Sequence, residues 1–211
     1  MRIATFNCNS VRSRLDVVLR WLAAYAPDVL CLQETKVQDA EFPADAFRLA
    51  GWHVAFQGEK SYNGVALVSK HKPDEVAFGL DSAPADPTRL VHARFGQLHV
   101  VNTYVPQGRE IDHAMYAYKL EWFARLKKYF QKKIGADAPL LWCGDLNVAR
   151  HPIDVTNPET KKDHVCYHQA VRDAFEDVLA FGFTDLFRKH NPDLVDYSFY
   201  DYRAPFNPDQ K

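Results

Sequence analysis

Residues 90–105, LVHARFGQLHVVNTYV, contain two apolar, β-rich runs separated by a turn at Gly96-Gln97. Each run, 90–95 and 98–105, predicts a strand, and so short a connection joins them as an antiparallel hairpin. A parallel pair would need a crossover of about a dozen residues or more. The hairpin therefore favours antiparallel sheets over a doubly wound parallel sheet.

Apolar runs on both sides of the hairpin alternate with helical patterns, and the breaks fall at Gly, Pro or Asn. Further strands are predicted at residues 2–6, 29–32, 53–56, 64–69, 139–143 and 197–202. Helices are predicted at 15–22 before Pro27, from an Asp112 cap to Gly135, and at 168–181 before Gly182. We expect an α+β fold, a four-layer sandwich in which two mostly antiparallel sheets pack face to face with helices outside.

The composition excludes several classes of protein. With 211 residues, 47% hydrophobic and 25% charged, the chain is typical of one soluble globular domain over residues 1–211. No run approaches the roughly 20 apolar residues of a membrane helix, and no secretory signal follows Arg2, so we expect a cytoplasmic protein that does not bind membranes. The four cysteines follow neither a disulfide nor a zinc pattern. A net charge of -1 argues mildly against a general nucleic-acid binder but leaves a local basic face open.

Oxygen-bearing polar side chains follow three of the predicted strands: Asn7 and Asn9, then Glu34, then Asp145 and Asn147. Carboxylate and amide oxygens are the ligands that a hard cation such as Mg²⁺ prefers. The alternative is that Asn and Asp simply form turns after strands. Glu34 is harder to explain in that way, because a carboxylate beside the buried run VLCLQ costs several kcal/mol unless it is paired.

Six segments occur in order along the chain: FNCNS (6–10), LQETK (32–36), YNGVALVS (62–69), NTYVPQG (102–108), WCGDLN (142–147) and SFYDYR (198–203). Together they resemble the exonuclease III family of AP endonucleases, a branch of the endonuclease/exonuclease/phosphatase superfamily with a DNase I-like fold. LQET and GDLN are shared with phosphatases and phosphodiesterases of that superfamily, whereas YVPQG and SFYDYR narrow the resemblance to the DNA-repair branch.

The resemblance implies a divalent-metal-dependent hydrolase, with Mg²⁺ or alternatively Mn²⁺, that cuts duplex DNA on the 5′ side of an abasic site. It also implies 3′→5′ exonuclease and 3′-phosphatase activity as further options, in a monomeric enzyme of base excision repair. Its metal site would comprise Asn7, Glu34, Asp145 and Asn147, while the role of Asn9 is doubtful since some members have Asp there. Its catalytic residues would be Tyr104, Asp145 and Asn147. The alternative for Tyr104 is a core aromatic residue.

DNA contacts implied by the resemblance lie in loops after strands. They are Arg12, Lys36, Tyr62, Asn63, Arg89, Gln107, Arg109 and Phe199, of which Phe199 would line the pocket for the extruded sugar. For the three arginines the alternative is a solvated surface charge, and for Phe199 a core position. Relatives have Trp where this chain has Tyr200.

The family's W-R-hydrophobic-D-H and S-D-H segments, the second of which supplies a catalytic His, do not follow SFYDYR in this sequence. We therefore expect C-terminal incompleteness, with strands of the second sheet missing. Two alternative functions stay open: a catalytically impaired DNA-binding fragment, and a phosphatase or phosphodiesterase of the same superfamily.

Overall fold

The structure is a computed structural model that describes residues 1–135 and 137–199. The chain divides into two compact units. The first unit comprises residues 1–106 and 125–147, and the second comprises residues 107–124 and 148–211. The expectation of a single domain remains a prediction.

Two four-stranded sheets form the first unit. Sheet 1 has the order β1-β2-β4-β3, and sheet 2 has the order β5-β6-β7-β8. The strands are β1 (Ile3–Asn7), β2 (Val29–Gln33), β3 (His53–Gln57), β4 (Val65–Ser69), β5 (Glu75–Phe78), β6 (Leu90–Phe95), β7 (Leu98–Tyr104) and β8 (Leu140–Asp145). The helices of the chain are α1 (Val11–Tyr25), α2 (Ala44–Leu49), α3 (Ala114–Lys133), α4 (Gln169–Leu179) and α5 (Leu186–His190).

The predicted hairpin is confirmed, because β6 and β7 pair antiparallel with Phe95 opposite Leu98. The pairs β2–β4, β3–β4 and β5–β6 are also antiparallel. Only β1–β2 and β7–β8 are parallel among the described strands. The expected mostly antiparallel sheets are thus confirmed, and each parallel pair places two strand ends at the same edge of its sheet.

The four layers of the first unit follow from which face of each strand is apolar. Alternate residues of both sheets, including Cys31, Leu67, Val91 and Val100, pack into a buried core between the sheets. On the outer face of sheet 1, α1 and α2 bury a second core. On the outer face of sheet 2, α3 contributes Phe130, whose ring lies 5.7 Å from that of Trp142. The predicted helix–sheet–sheet–helix order is therefore confirmed.

The second unit contains the first part of α3 together with α4 and α5. Val171, Phe175 and Val178 form the buried face of α4, and the rings of Phe123 and Phe175 lie 6.0 Å apart. A fully buried lysine, Lys119, donates to the main-chain oxygens of Gln107 and Val165. These contacts fix the segment after β7 within this unit.

Three expectations need correction. Helix α3 begins at Ala114, and His113 rather than Asp112 caps it, since the His113 Nδ1 accepts a hydrogen bond of 3.0 Å from the Met115 N–H. Gly144 does not end the last strand of sheet 2, because β8 continues through it to Asp145. Of the strand expected at 197–202, residues 197–199 form no strand, and 200–202, including Tyr200, lie outside the described residues.

Short elements were not predicted at all. The edge strand β5 and the helices α2 and α5 have four to six residues each, too few to show a clear period. In the described part of the chain, every helix is too short or too polar to cross a membrane.

Candidate active site at the strand ends

Four strands of the first unit end with polar side chains that meet. The parallel pair β1–β2 places Asn7 opposite Gln33, directly before Glu34. The parallel pair β7–β8 places Tyr104 opposite Asp145. Because the side chains of Asn7, Tyr104 and Asp145 lie on the inward faces of their sheets, they converge above the core between the sheets.

Asn7 joins the two carboxylates of this cluster. Its Nδ2 atom donates to Glu34 Oε1 and to Asp145 Oδ2, both at 2.8 Å. Glu34 and Asp145 therefore lie no farther apart than two hydrogen bonds allow, although one follows sheet 1 and the other ends sheet 2. The structure therefore brings together Glu34 and Asp145, the two carboxylates of the metal site that the resemblance implies.

Lys36 supplies positive charge beside Glu34. Its ammonium lies 2.7 Å from Glu34 Oε2 and donates to Asn9 Oδ1 at 2.6 Å. Burial alone would raise the pKa of Glu34, but the hydrogen bonds from Lys36 and Asn7 and the Lys36 charge lower it below its ordinary value. Glu34 is therefore an anion at neutral pH. Asn9 accepts a hydrogen bond that holds the Lys36 ammonium in place. The sequence motif did not reveal this role.

Tyr104 contacts the same carboxylate from the other sheet. Its side chain is hydrogen-bonded to Glu34, and the Arg89 guanidinium lies 5.0 Å from its ring centroid. Burial and the Glu34 charge raise the pKa of Tyr104 above its ordinary value. The phenol is therefore protonated at neutral pH, and it donates its one hydrogen to the Glu34 carboxylate.

The GDLN segment is folded back on itself after β8. The Asn147 N–H donates to Asp145 Oδ1 at 3.1 Å, and the Asn147 Nδ2 donates to the Val105 carbonyl oxygen at 2.9 Å. Both oxygens of Asp145 thus accept a hydrogen bond, one from Asn7 and one from Asn147. The carboxylate is held in one orientation.

The loops around the cluster contain several non-glycine residues with positive φ angles, four of which belong to the segments just described. The φ angles are 40° at Asn9, 50° at Glu34, 51° at Lys36 and 48° at Asn147. Each non-glycine residue in this region costs about 1 kcal/mol or more, and such residues concentrate at functional sites. The positive φ of Glu34 turns its side chain toward Asn7 at the point where β2 ends.

The donor set fits a hard divalent cation. In the described residues, no group of three or more His, Cys, Asp or Glu converges in a way that could hold a metal ion. A zinc site takes three or four protein ligands. Mg²⁺ differs, because it commonly binds one or two carboxylates and keeps water at its other positions. Glu34 and Asp145, with the amide of Asn7 between them, match that pattern.

The predicted DNA contacts of the first unit divide into two groups. Lys36, Asn63 and Arg89 surround the cluster: the Lys36 N–H donates to the Asn63 carbonyl at 3.0 Å, and Arg89 lies against Tyr104. Tyr62, in the same loop as Asn63, is 70% exposed. Arg12 instead forms an exposed ion pair with Glu41 at 2.9 Å.

The other three predicted contacts belong to the second unit. Arg109 has a φ of 62° and donates its N–H to the Gln107 side chain at 2.7 Å. Phe199 is 80% exposed, so within the described residues it is not the core residue that the alternative interpretation required.

Two functional candidates were missed by the sequence interpretation. Gln33 and Asn102 are buried polar residues in the layer directly below the cluster, with exposed fractions of 1% and 0%. The sequence signal that could have identified Asn102 is the alternation of side chains along β7, which places position 102 on the inward face together with Val100 and Tyr104. A polar residue at an inward position of a buried strand needs a partner.

The comparisons with known proteins agree with this geometry. Residues 4–207 match the Endonuclease/Exonuclease/phosphatase family. A DNA-(apurinic or apyrimidinic site) endonuclease of Dictyostelium discoideum is 32% identical over 96% of this chain, which spans 57% of that protein. An exodeoxyribonuclease III of Haemophilus influenzae is 31% identical over 97% of this chain and 81% of its own length.

Among solved structures, an AP endonuclease from Archaeoglobus fulgidus superimposes with a TM-score of 0.94 and 50% identity. The match covers 97% of this chain and 79% of that one. The family model matches nearly the whole chain, and the fold agrees with that of the solved relative. This chain belongs to the endonuclease/exonuclease/phosphatase family and, within it, to the exonuclease III type of AP endonucleases.

Proposed function

We propose that the protein is a DNA-repair nuclease that hydrolyses the phosphodiester bond 5′ to an abasic site in duplex DNA. The observation that carries the proposal is the pair of hydrogen bonds from Asn7 to Glu34 and Asp145. They hold two carboxylates together at the open end of the sheets, where a phosphate and a cation can enter. The chain spans about 57% of the first relative described above, so the activity of the whole protein is part of the proposal.

Each residue of the cluster has a role in this reaction. Asp145 orients the attacking water and accepts its proton. Both of its oxygens accept hydrogen bonds from neutral groups, so the carboxylate keeps a fixed orientation and its negative charge. Tyr104 stays protonated and turns its O–H from Glu34 to an oxygen of the scissile phosphate when the phosphate binds. The Asn147 amide stabilises the negative charge that develops on the phosphorus-bound oxygens.

The reaction balances as a simple hydrolysis. Water oxygen forms a bond to phosphorus, the bond from phosphorus to the 3′ oxygen breaks, and the 3′ oxygen leaves with a proton. The products are a 3′ hydroxyl and a 5′ deoxyribose phosphate. A bound Mg²⁺, with Mn²⁺ as the alternative, would neutralise phosphate charge and be held by Glu34, Asp145, Asn7 and Asn147.

The abasic nucleotide is the preferred substrate for an energetic reason. A nucleotide without a base has lost its stacking and pairing, so extruding it from the duplex is cheaper than extruding a normal one. The backbone contacts proposed to hold the duplex are Arg12, Lys36, Tyr62, Asn63, Arg89, Gln107 and Arg109, and Phe199 is proposed to contact the extruded sugar. The exposed guanidinium of Arg12 and the loop position of Arg109 suit phosphate contacts.

The same chemistry acts on related substrates. Removal of nucleotides or phosphate from 3′ ends breaks the same kind of bond, and we include 3′→5′ exonuclease and 3′-phosphatase activity in the proposal. The enzyme is proposed to act as a monomer in the cytoplasm.

A duplex carrying one tetrahydrofuran abasic analogue tests the function. We expect Mg²⁺-dependent nicking on the 5′ side of the analogue that EDTA abolishes. Glu34→Gln and Asp145→Asn should each lower kcat by about 100-fold or more, since each removes a charge used in the transition state. Glu41→Gln, which removes an exposed carboxylate outside the cluster, is the matched control and should retain full activity.

Two outcomes would contradict the proposal. Salt-sensitive duplex binding with no nicking at any metal concentration would indicate a DNA-binding module. Turnover of inositol phosphates without nicking would indicate the phosphatase branch of the superfamily.

A further inference from the structure

A buried polar layer separates the apolar core between the sheets from the active-site cluster. Asn102 of β7 and Gln33 of β2 occupy this layer, with exposed fractions of 0% and 1%. Below them lie apolar residues such as Cys31 and Val100, and above them lie Asn7 and Tyr104. An apolar pair at these two positions would continue the core without interruption. The presence of a polar pair there therefore requires an explanation.

The Asn102 side chain is bonded to two strands of the opposite sheet. Its Nδ2 donates to the Leu32 carbonyl oxygen at 3.0 Å and to the Ala66 carbonyl oxygen at 3.1 Å. Its Oδ1 accepts from Gln33 Nε2 at 2.6 Å. Sheet 2 is thus tied to both β2 and β4 of sheet 1 through one amide group.

The Gln33 side chain extends this network within sheet 1. Its Nε2 also donates to Thr5 Oγ1 at 3.0 Å and to the Cys31 carbonyl oxygen at 3.1 Å. These bonds connect β1, β2, β4 and β7. Three of these strands, β1, β2 and β7, lead into residues of the active-site cluster. Apolar packing tolerates small sliding of one sheet over the other, whereas a buried amide loses its hydrogen bonds when the sheets slide.

The position of the network relates it to the chemistry. Gln33 directly precedes Glu34, and Asn102 lies two residues before Tyr104 on the same inward face of β7. A shift of the sheets would change the separation of Glu34 from Tyr104 and Asp145. We propose that Asn102 and Gln33 are positioning residues that fix sheet 1 against sheet 2 and thereby set the distance between the two halves of the proposed metal and phosphate site.

This inference rests on the proposed function, and two variants test it. Asn102→Leu removes all three bonds of the amide and keeps the number and branching of the side-chain heavy atoms, and Gln33→Leu removes the other end of the pair. Val100→Ala is the matched control, because it truncates a fully buried inward side chain of the same strand and leaves the network intact. Binding of Mn²⁺ is measured by titration calorimetry, and kcat and KM are measured on the abasic duplex.

We expect Asn102→Leu and Gln33→Leu each to weaken Mn²⁺ binding and to lower kcat by about tenfold, the scale of supporting contacts around metal ligands, with little change in KM. The double variant should lose less than the sum of the two single losses, because the two side chains share one hydrogen bond. Val100→Ala should lower the thermal midpoint yet bind Mn²⁺ and turn over like the wild type.

The inference is overturned if the two variants match Val100→Ala in Mn²⁺ affinity and kcat, or if their effects add fully. If Asn102→Leu does not fold, Gln33→Leu decides by the same measurements, with circular dichroism as the test of folding. A wild type that binds Mn²⁺ but fails to nick the duplex would remove the proposed function, and the Mn²⁺ affinities of the variants would still decide the positioning role.

Discussion

Asn7 is suited to its place because it is neutral. A lysine at this position would pair with Glu34 and Asp145 and cancel one of their two negative charges, and a carboxylate would repel both. The amide instead donates to both carboxylates and leaves their combined charge in place. Lys36 forms its ion pair with Glu34 and is one of the proposed DNA contacts.

His92 provides a residue-scale prediction about pH. It lies on the outer face of sheet 2, with ring nitrogens 2.9 Å from Tyr129 Oη and 2.8 Å from His99 Nδ1. Burial and the neighbouring His99 lower the pKa of His92 to about 4. As the pH falls, the unfolded chain therefore binds this proton first, and the folded state loses stability between roughly pH 6.5 and pH 4.

The predicted loss from pH 7 to pH 5 is about 1 kcal/mol after allowance for solvent screening around a half-buried ring. Urea unfolding at the two pH values measures it. In His92→Gln, which keeps polar atoms near Tyr129 and His99, the difference between the two pH values should shrink by that amount. An unchanged difference would show that His92 does not titrate differently in the folded state.

At the site, the sequence predicts which residues take part better than it predicts which of them contact each other. Glu34 and Asp145 are recognisable because acidic residues directly follow apolar strands. Lys36 was expected to contact DNA, and its ion pair with Glu34 depends on positive φ angles that residue types do not specify. Asn102 was missed because a single amide in a strand gives no sign of where its partners lie along the chain.

At the scale of elements, the strand prediction succeeded where the runs were long and apolar. The predicted bounds of β2, β6 and β7 agree with the structure to within one residue. β5 was missed because it is short and mostly exposed, as expected of an edge strand. Gly144 was taken as a break because glycine usually weakens strands, whereas here it permits a close approach between β7 and β8.

Gly144→Ala tests this close approach. A Cβ atom on Gly144 would lie 2.0 Å from the Thr103 carbonyl oxygen, and the φ of 130° is itself unfavourable for alanine. We expect a loss of about 3 kcal/mol in the free energy of unfolding, together with reduced activity because Asp145 is the next residue.

Gly96→Ala is the matched control for the backbone conformation alone. Gly96 has a φ of 60° and no neighbouring atom within 4 Å of an added Cβ. We expect a cost of about 1 kcal/mol and unchanged activity. Equal losses in the two variants, measured by urea unfolding, would argue against a steric role for Gly144.

For the molecule as a whole, the residues of the proposed metal site come from both sheets, so we expect cation binding and folding to be coupled. A cation that binds only the folded state stabilises it by about 2.7 kcal/mol at 100 times its Kd. For a chain of this size that corresponds to a rise of roughly 5–11 °C in Tm. We expect Mn²⁺ to produce such a rise in the wild type and in Glu41→Gln, but not in Glu34→Gln.

Differential scanning calorimetry with and without Mn²⁺ makes this comparison independently of DNA cleavage. A rise in Tm that is the same in Glu34→Gln would place the cation elsewhere in the protein.

The bond between Asn7 and Asp145 joins residues 138 positions apart in the sequence. A ribosome that adds roughly 5–20 residues per second needs on the order of 7–28 s to synthesise the intervening segment. For most of that interval the nascent chain contains Glu34 but not Asp145, so the proposed cation site is incomplete. The proposed strand cleavage therefore requires a chain that has been translated past β8.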